Sequence, residues 1–199
     1  MRCYHLQNMY LAGTQAGIQT AHTQHELAIK YIEQSSDNYY ARHSYLDWAK
    51  NHKTIILLNG GMQSSLIEFK TLLESPDNCY PWAFFHESEE ALAGALTNVG
   101  IVLPFFIYGF KDYVVGFLRS ESQSGLGEYA PPPVARFNHV IIKDDHGEAY
   151  YANIYMTRCK DGFLNLHIYK EGAETAHRSH RYTTFDIELI KIISSARLM

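Results

Sequence analysis

A glycine-bearing turn that leads into a long helix is the feature that most constrains this chain. The apolar run Met9-Tyr10-Leu11-Ala12 predicts a short strand, and residues 13–22 then open a helical pattern that reaches about residue 33. A junction of this kind leaves the first backbone N–H groups of the helix without intrahelical acceptors. We therefore expect it to suit an anion, a carbonyl group or a phosphate.

Composition narrows the class of protein. The length of 199 residues fits one domain, or one domain with a substantial extension. The net charge is −4, whereas proteins that grip long nucleic acids usually present a basic surface. We therefore expect no extensive nucleic-acid surface.

The cysteines and the apolar segments indicate the cellular compartment of the protein. Cys3, Cys79 and Cys159 are widely spaced and odd in number, so they predict no disulfide framework. Residues 1–7 lack the apolar region of a signal peptide. The longest apolar stretch, residues 99–110, is too short for a membrane span. We expect a cytoplasmic protein that does not enter a membrane.

Alternating strand and helix patterns predict an α/β fold in the first half of the chain. The first helix, over residues 15–34, has semi-apolar positions at helical spacing, namely Ile18, Ala21, His25, Ala28 and Ile32. The apolar run over residues 53–59 is typical of a strand buried on both faces. A helix over about 64–74 and strands over 82–87 and 99–103 complete this half.

The second half has a different pattern. A helix is predicted over residues 106–120, and the Ser- and Gly-rich residues 120–129 with Pro131-Pro132-Pro133 indicate a linker. Strands are predicted over 140–142, 149–157 and 162–169, with turns at 144–147 and 160–162 between them. We predict an α/β domain over 1–105, a helix and Pro-rich linker over 106–133, and a β-rich extension over 134–199.

Four segments in this order resemble the archaeal and eukaryotic class of peptidyl-tRNA hydrolases. Gln19-Thr20-Ala21-His22 matches a Gln-Cys-Ala-His-like tetrad on the first helix of that family. Residues 53–58 resemble its second strand, and residues 81–90 its third strand and the loop that follows. Residues 96–104, which end in Pro104, resemble its closing strand. The resemblance covers about half of the chain.

This resemblance implies a three-layer α/β sandwich with a four-stranded mixed sheet, to which the β-rich extension is added. It also implies an active-site pocket. Its candidate catalytic residues are His22, the acidic Glu87, and Gln15, which stands where the family has a basic residue. Gln19 and Thr14 are the candidates for ligand binding at the same helix.

The departures from the family pattern decide the predicted function. Gln15 is neutral, and Glu89 and Glu90 stand where the family has Gly-Arg-Thr. Ester hydrolysis needs positive or N–H groups facing the developing oxyanion, so these changes weaken catalysis. We predict a catalytically divergent protein that binds a small ligand, a nucleotide-like group or a protein partner in the former pocket. Two alternatives stay open: an active peptidyl-tRNA hydrolase and an oligomerising interaction protein.

Two further clusters of charged residues and histidines are candidate binding sites. Arg178 and Arg181 lie in a dense basic segment and are candidates for contacting an anion, although a solvated loop is the alternative. His22, His25 and Glu26 share one helical turn, but their order is not that of an HExxH metal site. We predict no metal and no cofactor. The expected partners are a small ligand or the end of a tRNA, and a second copy of the chain in a homo-oligomer.

Overall fold

The computed structural model of the protein describes residues 1–33, 38–124, 134–143, 148–159 and 161–199. Their contacts divide the chain into two compact units: residues 1–110 with 191–199, and residues 111–190. The first unit contains a mixed five-stranded sheet with helices, and the second a separate four-stranded antiparallel sheet. The prediction of a mixed α/β protein is thereby confirmed.

The first unit alternates strands and helices. Its elements are β1 (Arg2–Gln7), α1 (Thr14–Ala28), α2 (Tyr39–Asp47), β2 (Ile55–Asn59), α3 (Gln63–Leu73), β3 (Trp82–His86), α4 (Glu89–Leu92), β4 (Leu96–Leu103) and α5 (Phe105–Tyr108). A π-helical turn extends α1 over Ile29–Glu33, and another extends α2 over Trp48–His52.

The second unit contains one helix followed by four strands and most of another helix. These are α6 (Lys111–Ser124), β5 (Val134–Lys143), β6 (Ala149–Arg158), β7 (Leu164–Lys170), β8 (Arg178–Tyr182) and α7 (Thr184–Ser195). The last residues of α7 and the short strand β9 (Arg197–Leu198) belong to the first unit.

The sheet of the first unit has the strand order β3-β4-β1-β2-β9. Strands β1 and β2 are parallel, and the other neighbouring pairs are antiparallel. Four strands were expected. The fifth arises because Arg197 and Leu198 pair with Asn59 and Leu58 at the end of β2.

The first strand lies earlier in the sequence than predicted. Residues 9–12 form a turn and a loop, whereas β1 comprises Arg2–Gln7 and occupies the centre of the sheet. The prediction was wrong because β1 contains the polar residues His5 and Gln7, which do not form an apolar pattern. Both are fully buried in the fold.

The strand at residues 53–59 is less buried than predicted. Only Leu58 of β2 is fully buried, and Ile55 is 42% exposed. Strand β9 pairs with β2 at Leu58 and Asn59, and the Met199 N–H donates to the carbonyl of Leu57. Among the described residues, Ile55 and Ile56 have a strand partner only in β1. The apolar run therefore predicted the strand correctly, but it did not predict how exposed the strand is.

Helix α1 packs on the sheet with a different face from the predicted one. Ile18, on the predicted apolar face, is 48% exposed, and Ile32 is also exposed. The buried positions are Ala16, Gln19, Thr20, Thr23 and Leu27. This largely polar face is buried because the sheet surface beneath it is polar too. It includes His5, Gln7 and Asn98, and hydrogen bonds join the two surfaces.

A glycine in β4 permits the close approach of α1. Gly100 is the register partner of His5, and a Cβ atom added there would lie 2.8 Å from the His5 ring. It would also lie 3.0 Å from Cγ2 of Thr23 on α1. Both distances are below ordinary contact, so only glycine leaves room for the imidazole and the helix together.

The outer edge of β3 is capped by side chains. The backbone N–H of Trp82 donates to the hydroxyl of Tyr31 at 3.0 Å, and Nζ of Lys30 donates to the carbonyl of Trp82 at 3.1 Å. The register between β3 and β4 also shifts between Phe85 and His86. Part of this edge is therefore bonded to side chains from the end of α1.

The sheet of the second unit is an antiparallel meander in the order β5-β6-β7-β8. Its first two strands contain the segments predicted over 140–142 and 149–157, and β7 begins at Leu164, two residues later than predicted. The predicted turn at 144–147, Lys160 of the second turn, and residues 125–133 of the linker lie outside the described residues. Gly162, in the second predicted turn, has a φ of +86°, as the hairpin signal requires.

Two helical predictions need correction. The helix expected over 106–120 is divided into α5 and α6, and the second helix runs on to Ser124. Helix α7 was not predicted, because its isoleucine-rich sequence is also typical of a strand. A capping box could have revealed its start: the Asp186 N–H donates to Oγ1 of Thr183, and the Thr183 N–H donates to the Asp186 carboxylate.

In the described part of the chain, no helix has the length and apolar character needed to cross a membrane.

The packing at Gly100 leads to a stability prediction. Gly100→Ala is expected to destabilise the first unit by about 1–3 kcal/mol, because the new methyl group overlaps the His5 ring and Thr23. Gly17→Ala is the control, since Gly17 lies on the exposed side of α1 with no atom within 4 Å of an added Cβ. It is expected to stabilise by about 0.5–1 kcal/mol. Urea unfolding measures both, and a Gly100→Ala variant as stable as wild type would contradict the packing argument.

Candidate functional site

The predicted site residues of α1 differ in exposure. Gly13 precedes the helix with a φ of +53° and no side-chain cap. Thr14 and Gln15, the first two helical residues, are exposed. Gln19, one turn later, is buried against the sheet. Only the deeper part of the predicted helix start therefore contacts the sheet.

The amide of Gln19 joins two strands. Its Oε1 atom accepts a hydrogen bond from Oγ1 of Thr97 on β4 at 3.0 Å, and its Nε2 atom donates to Oε1 of Glu87 just after β3. Both ends of the amide are thus used. This chain of Thr97, Gln19 and Glu87 brings two predicted residues together and adds a threonine that sequence reasoning missed.

His22 lies beside this chain. Its ring stacks on Phe85 with the centroids 4.4 Å apart and the planes 12° from parallel. Phe85 lies on β3, two residues before Glu87 in the sequence. The stacking therefore joins α1 to the end of this strand. The imidazole is exposed, and no hydrogen bond joins it to Glu87 within the described residues. The structure therefore gives His22 a stacking partner.

The electrostatics of this region are unlike those needed to hold an oxyanion. Within the described residues Glu87 forms no salt bridge, and its hydrogen-bond donor is the neutral amide of Gln19. Ser88 caps α4, and the next two residues, Glu89 and Glu90, place carboxylates in its first turn. The local charge is therefore negative.

The basic candidates lie in the second unit. Arg181, on β8, forms a salt bridge with Asp161, and its guanidinium lies 4.2 Å from the centroid of the Phe163 ring. Arg178 is half-buried at the start of the same strand and pairs in register with Ile168. The described contacts of Arg181 thus connect β8 to the β6–β7 turn.

The described residues contain no cluster of three or more His, Cys, Asp or Glu side chains placed to hold a metal ion. His22, His25 and Glu26 share the exposed side of α1, where His22 contacts Phe85. Their position on one helix thus does not assemble such a cluster.

A buried network near β1 was not predicted. Nε2 of His5 lies 2.6 Å from Nε2 of Gln24 and 3.3 Å from Sγ of Cys3, while its Nδ1 lies 2.8 Å from Oδ1 of Asn98. The Gln24 amide nitrogen can only donate, so Nε2 of His5 accepts and Nδ1 carries the proton. The sequence signal for this network was the alternation of polar residues in β1.

The order of cysteine, histidine and asparagine in this network resembles that of a nucleophilic triad, but its chemistry differs. Burial raises the pKa of the Cys3 thiol to about 12, and the hydrogen bond from Gln24 offsets this only in part. Burial lowers the pKa of His5 to about 4, against the hydrogen bond to Asn98. Both groups are neutral at pH 7 and fully buried, so the network is structural.

A hollow of about 470 Å³ opens where β1 and β2 end. We call it the strand-end hollow, and it is lined by Asn8, Tyr10, Leu11, Met62, Gln63, Ser64, Leu92, Ala95 and Thr97. Thr97 also belongs to the chain that reaches Glu87, so the hollow adjoins the predicted site. Gln15, Gln19, His22 and Glu87 do not line it.

Short backbone contacts hold the hollow in place. The Gly60 N–H donates to the carbonyl of Gln7 at 2.7 Å, and the Met9 N–H donates to the carbonyl of Gly61 at 2.7 Å. A Cβ atom on Gly60 would lie 2.5 Å from Leu66, so this glycine lets the loop pass close to α3. The start of α3 is thereby fixed beside the end of β1.

The surface of the hollow is mostly apolar, and two sets of donors lie at its edge. Asn8 is buried; its Oδ1 accepts from the Tyr10 N–H at 3.2 Å, and its Nδ2 has no partner among the described residues. Helix α3 has no side-chain cap at Met62, and its first intrahelical bond runs from the Leu66 N–H to the Met62 carbonyl. The N–H groups before Leu66 are therefore available to an acceptor.

No family model matches the chain, and no curated protein matches it.

The buried imidazole leads to a pH prediction. An unfolded histidine takes up a proton below about pH 6.5, but folded His5 does so only below about pH 4. Stability is therefore lost as the pH falls from 6.5 to 4, by about 3 kcal/mol for this residue. His5→Gln should flatten that part of the curve of unfolding free energy against pH. Exposed His25→Gln is the control, and equal slopes in wild type and His5→Gln would contradict the prediction.

Proposed function

We propose that this chain is a divergent relative of the peptidyl-tRNA hydrolases that binds a small ligand in the strand-end hollow. The observation that carries the proposal is a hollow of about 470 Å³ next to the chain of Thr97, Gln19 and Glu87. Its volume is within the range of small-molecule sites. The three-layer sandwich of that family is part of this proposal, supported by the order of strands and helices in the first unit.

The lining favours a ligand with an apolar body and one acceptor end. Leu11, Met62 and Leu92 supply apolar surface, which favours binding by removing apolar area from water. Asn8 Nδ2 and the first N–H groups of α3 offer donors to a carboxylate, a phosphate or a carbonyl group. A nucleotide-like or carboxylic ligand has this chemistry.

Binding is better supported than hydrolysis because the polar groups near Glu87 are neutral or acidic. The Gln19 amide is bonded at both ends, and Glu89 and Glu90 add negative charge at the start of α4. A developing oxyanion would gain no stabilisation from them. Gln15, at the family's basic position, is exposed and uncharged.

Filling the hollow tests the proposal. The probe is 1-anilinonaphthalene-8-sulfonate, which has an apolar body and an anionic group. Ala95→Phe places a ring in the hollow. It is expected to lower the binding affinity for the probe by at least about tenfold, equivalent to about 1.4 kcal/mol. Fluorescence titration measures the affinity. Native mass spectrometry of the purified protein then shows whether a retained molecule is lost in the same variant.

Ala91→Phe is the matched control, since Ala91 lies on the same segment, is exposed and does not line the hollow. It should bind the probe as wild type does. Equal weakening by both substitutions, or none by Ala95→Phe, would remove the basis for the proposed site.

The alternative is an active peptidyl-tRNA hydrolase, and it is favoured by the proximity of His22, Gln19 and Glu87 at the junction of α1 and β3. On our proposal, the chain releases no more peptide from peptidyl-tRNA than a reaction without protein. Turnover that disappears in His22→Ala and Glu87→Ala but persists in Glu90→Ala would establish the alternative instead. Glu90 is the control because it is an exposed carboxylate of the adjacent helix.

A further inference from the structure

The sheet of the second unit has one face turned away from α6. On β6 the even-numbered residues Ala152, Ile154 and Met156 are buried, and their odd-numbered neighbours are at least partly exposed. Helix α6 lies on the even side, where the Tyr113 ring is 4.9 Å from that of Phe137. Because side chains alternate along a strand, the odd-numbered residues of β6 form an open face.

Aromatic and polar residues cross this open face in register. Arg136, Tyr155, His167 and Ser179 are consecutive partners across the four strands. The Arg136 guanidinium lies 5.4 Å from the centroid of the Tyr155 ring. The Tyr155 ring is 5.2 Å from that of Tyr169, at 82°. The centre of the face thus carries two tyrosines beside an arginine.

Charge is segregated in these strands. They contain six basic residues, two in β5, one each in β6 and β7, and two in β8, and no Asp or Glu. The whole chain is acidic, with 21 Asp and Glu against 17 Lys and Arg. Carboxylates near the sheet lie outside its strands, as in the pair of Asp161 with Arg181. By register, Arg136 and Arg181 lie on the open face, whereas Arg158, Lys170 and Arg178 lie on the face that α6 covers. The strand residues of the open face thus supply positive charge and no carboxylate.

We propose that this open face binds single-stranded nucleic acid. Tyr155 and Tyr169 would stack on bases, which have a π-face whatever their sequence, and Arg136 would contact the phosphates. A single strand is required because bases within a duplex cannot reach the rings. The proposal concerns the second unit alone and does not depend on the ligand of the first.

A hollow of about 340 Å³ beside the tyrosines fits one base. It is lined by Asn153, Tyr155, Tyr169, Ala173 and Glu174. The Glu174 carboxylate repels phosphate but accepts hydrogen bonds from a base amino group. Oδ1 of Asn153 accepts from the His139 N–H at 3.2 Å, which leaves its amide NH₂ to donate. A base inside and a phosphate outside, near Arg136, satisfy these groups.

Fluorescence anisotropy tests the proposal with labelled RNA and DNA single strands of about 12 nucleotides and a duplex of equal length. The full chain should bind at least one single strand, and the duplex at least about tenfold more weakly. The double variant Tyr155→Ala/Tyr169→Ala should lose at least about tenfold in affinity, whereas Tyr155→Phe/Tyr169→Phe keeps the rings and the binding. The RNA and DNA arms identify which strand is preferred.

The dependence of binding affinity on salt concentration distinguishes a phosphate contact made by Arg136 from general electrostatic attraction. Arg136→Gln should reduce the slope of log affinity against log salt by about 0.7, the value for one phosphate of a single strand. Arg119→Gln, an exposed charge on α6, is the control and should leave the slope unchanged. If the alanine variant loses its circular dichroism, exposed Arg136→Glu decides instead, with an expected loss of at least about tenfold.

The proposal is overturned if neither single strand binds the wild-type chain, or if the duplex binds equally well. Affinity unchanged in a folded double alanine variant would also overturn it, since stacking would then play no part. Equal slope changes for Arg136→Gln and Arg119→Gln would do the same.

Discussion

The first unit depends on the close contact between α1 and a polar sheet surface. Buried polar groups are costly unless they are bonded, and here His5 and Gln7 face the helix across β1 with bonds to Gln24 and Thr20. Gly100 makes the approach possible by leaving space for the imidazole. Such a network specifies the position of the helix more narrowly than apolar packing does, because each bond fixes a direction as well as a distance.

The sequence predicted those elements whose patterns are apolar and local. Helix α3 and strand β3 were found from their hydrophobic runs, and Gly162 from its turn chemistry. Strand β1 and the buried face of α1 could not be found in this way. Their inward residues are polar, and only the fold supplies the partners that make their burial possible. At the candidate site, α1 and the loop after β3 were predicted, but the roles of Thr97 and Asn8 required the strands to be paired.

The two units present different chemistry. In the first, a hollow with a mostly apolar surface adjoins a neutral and acidic cluster that ends at Glu87. In the second, the strands carry arginine and tyrosine without carboxylates. The net charge of −4 is a sum over the whole chain, so it does not describe the charge of either unit. Charge is therefore more informative here for each unit than for the whole chain.

The capped edge of β3 bears on how copies of this chain associate. An exposed edge strand is a template for pairing with another chain, and proteins commonly block such edges with lysine or with bulges. Here both the N–H and the carbonyl of Trp82 are already bonded, to Tyr31 and Lys30, and the ladder is interrupted after Phe85. A neighbouring strand would have to displace both side chains before it could form hydrogen bonds with Trp82. The start of β3 is thereby protected against pairing with a strand of another chain.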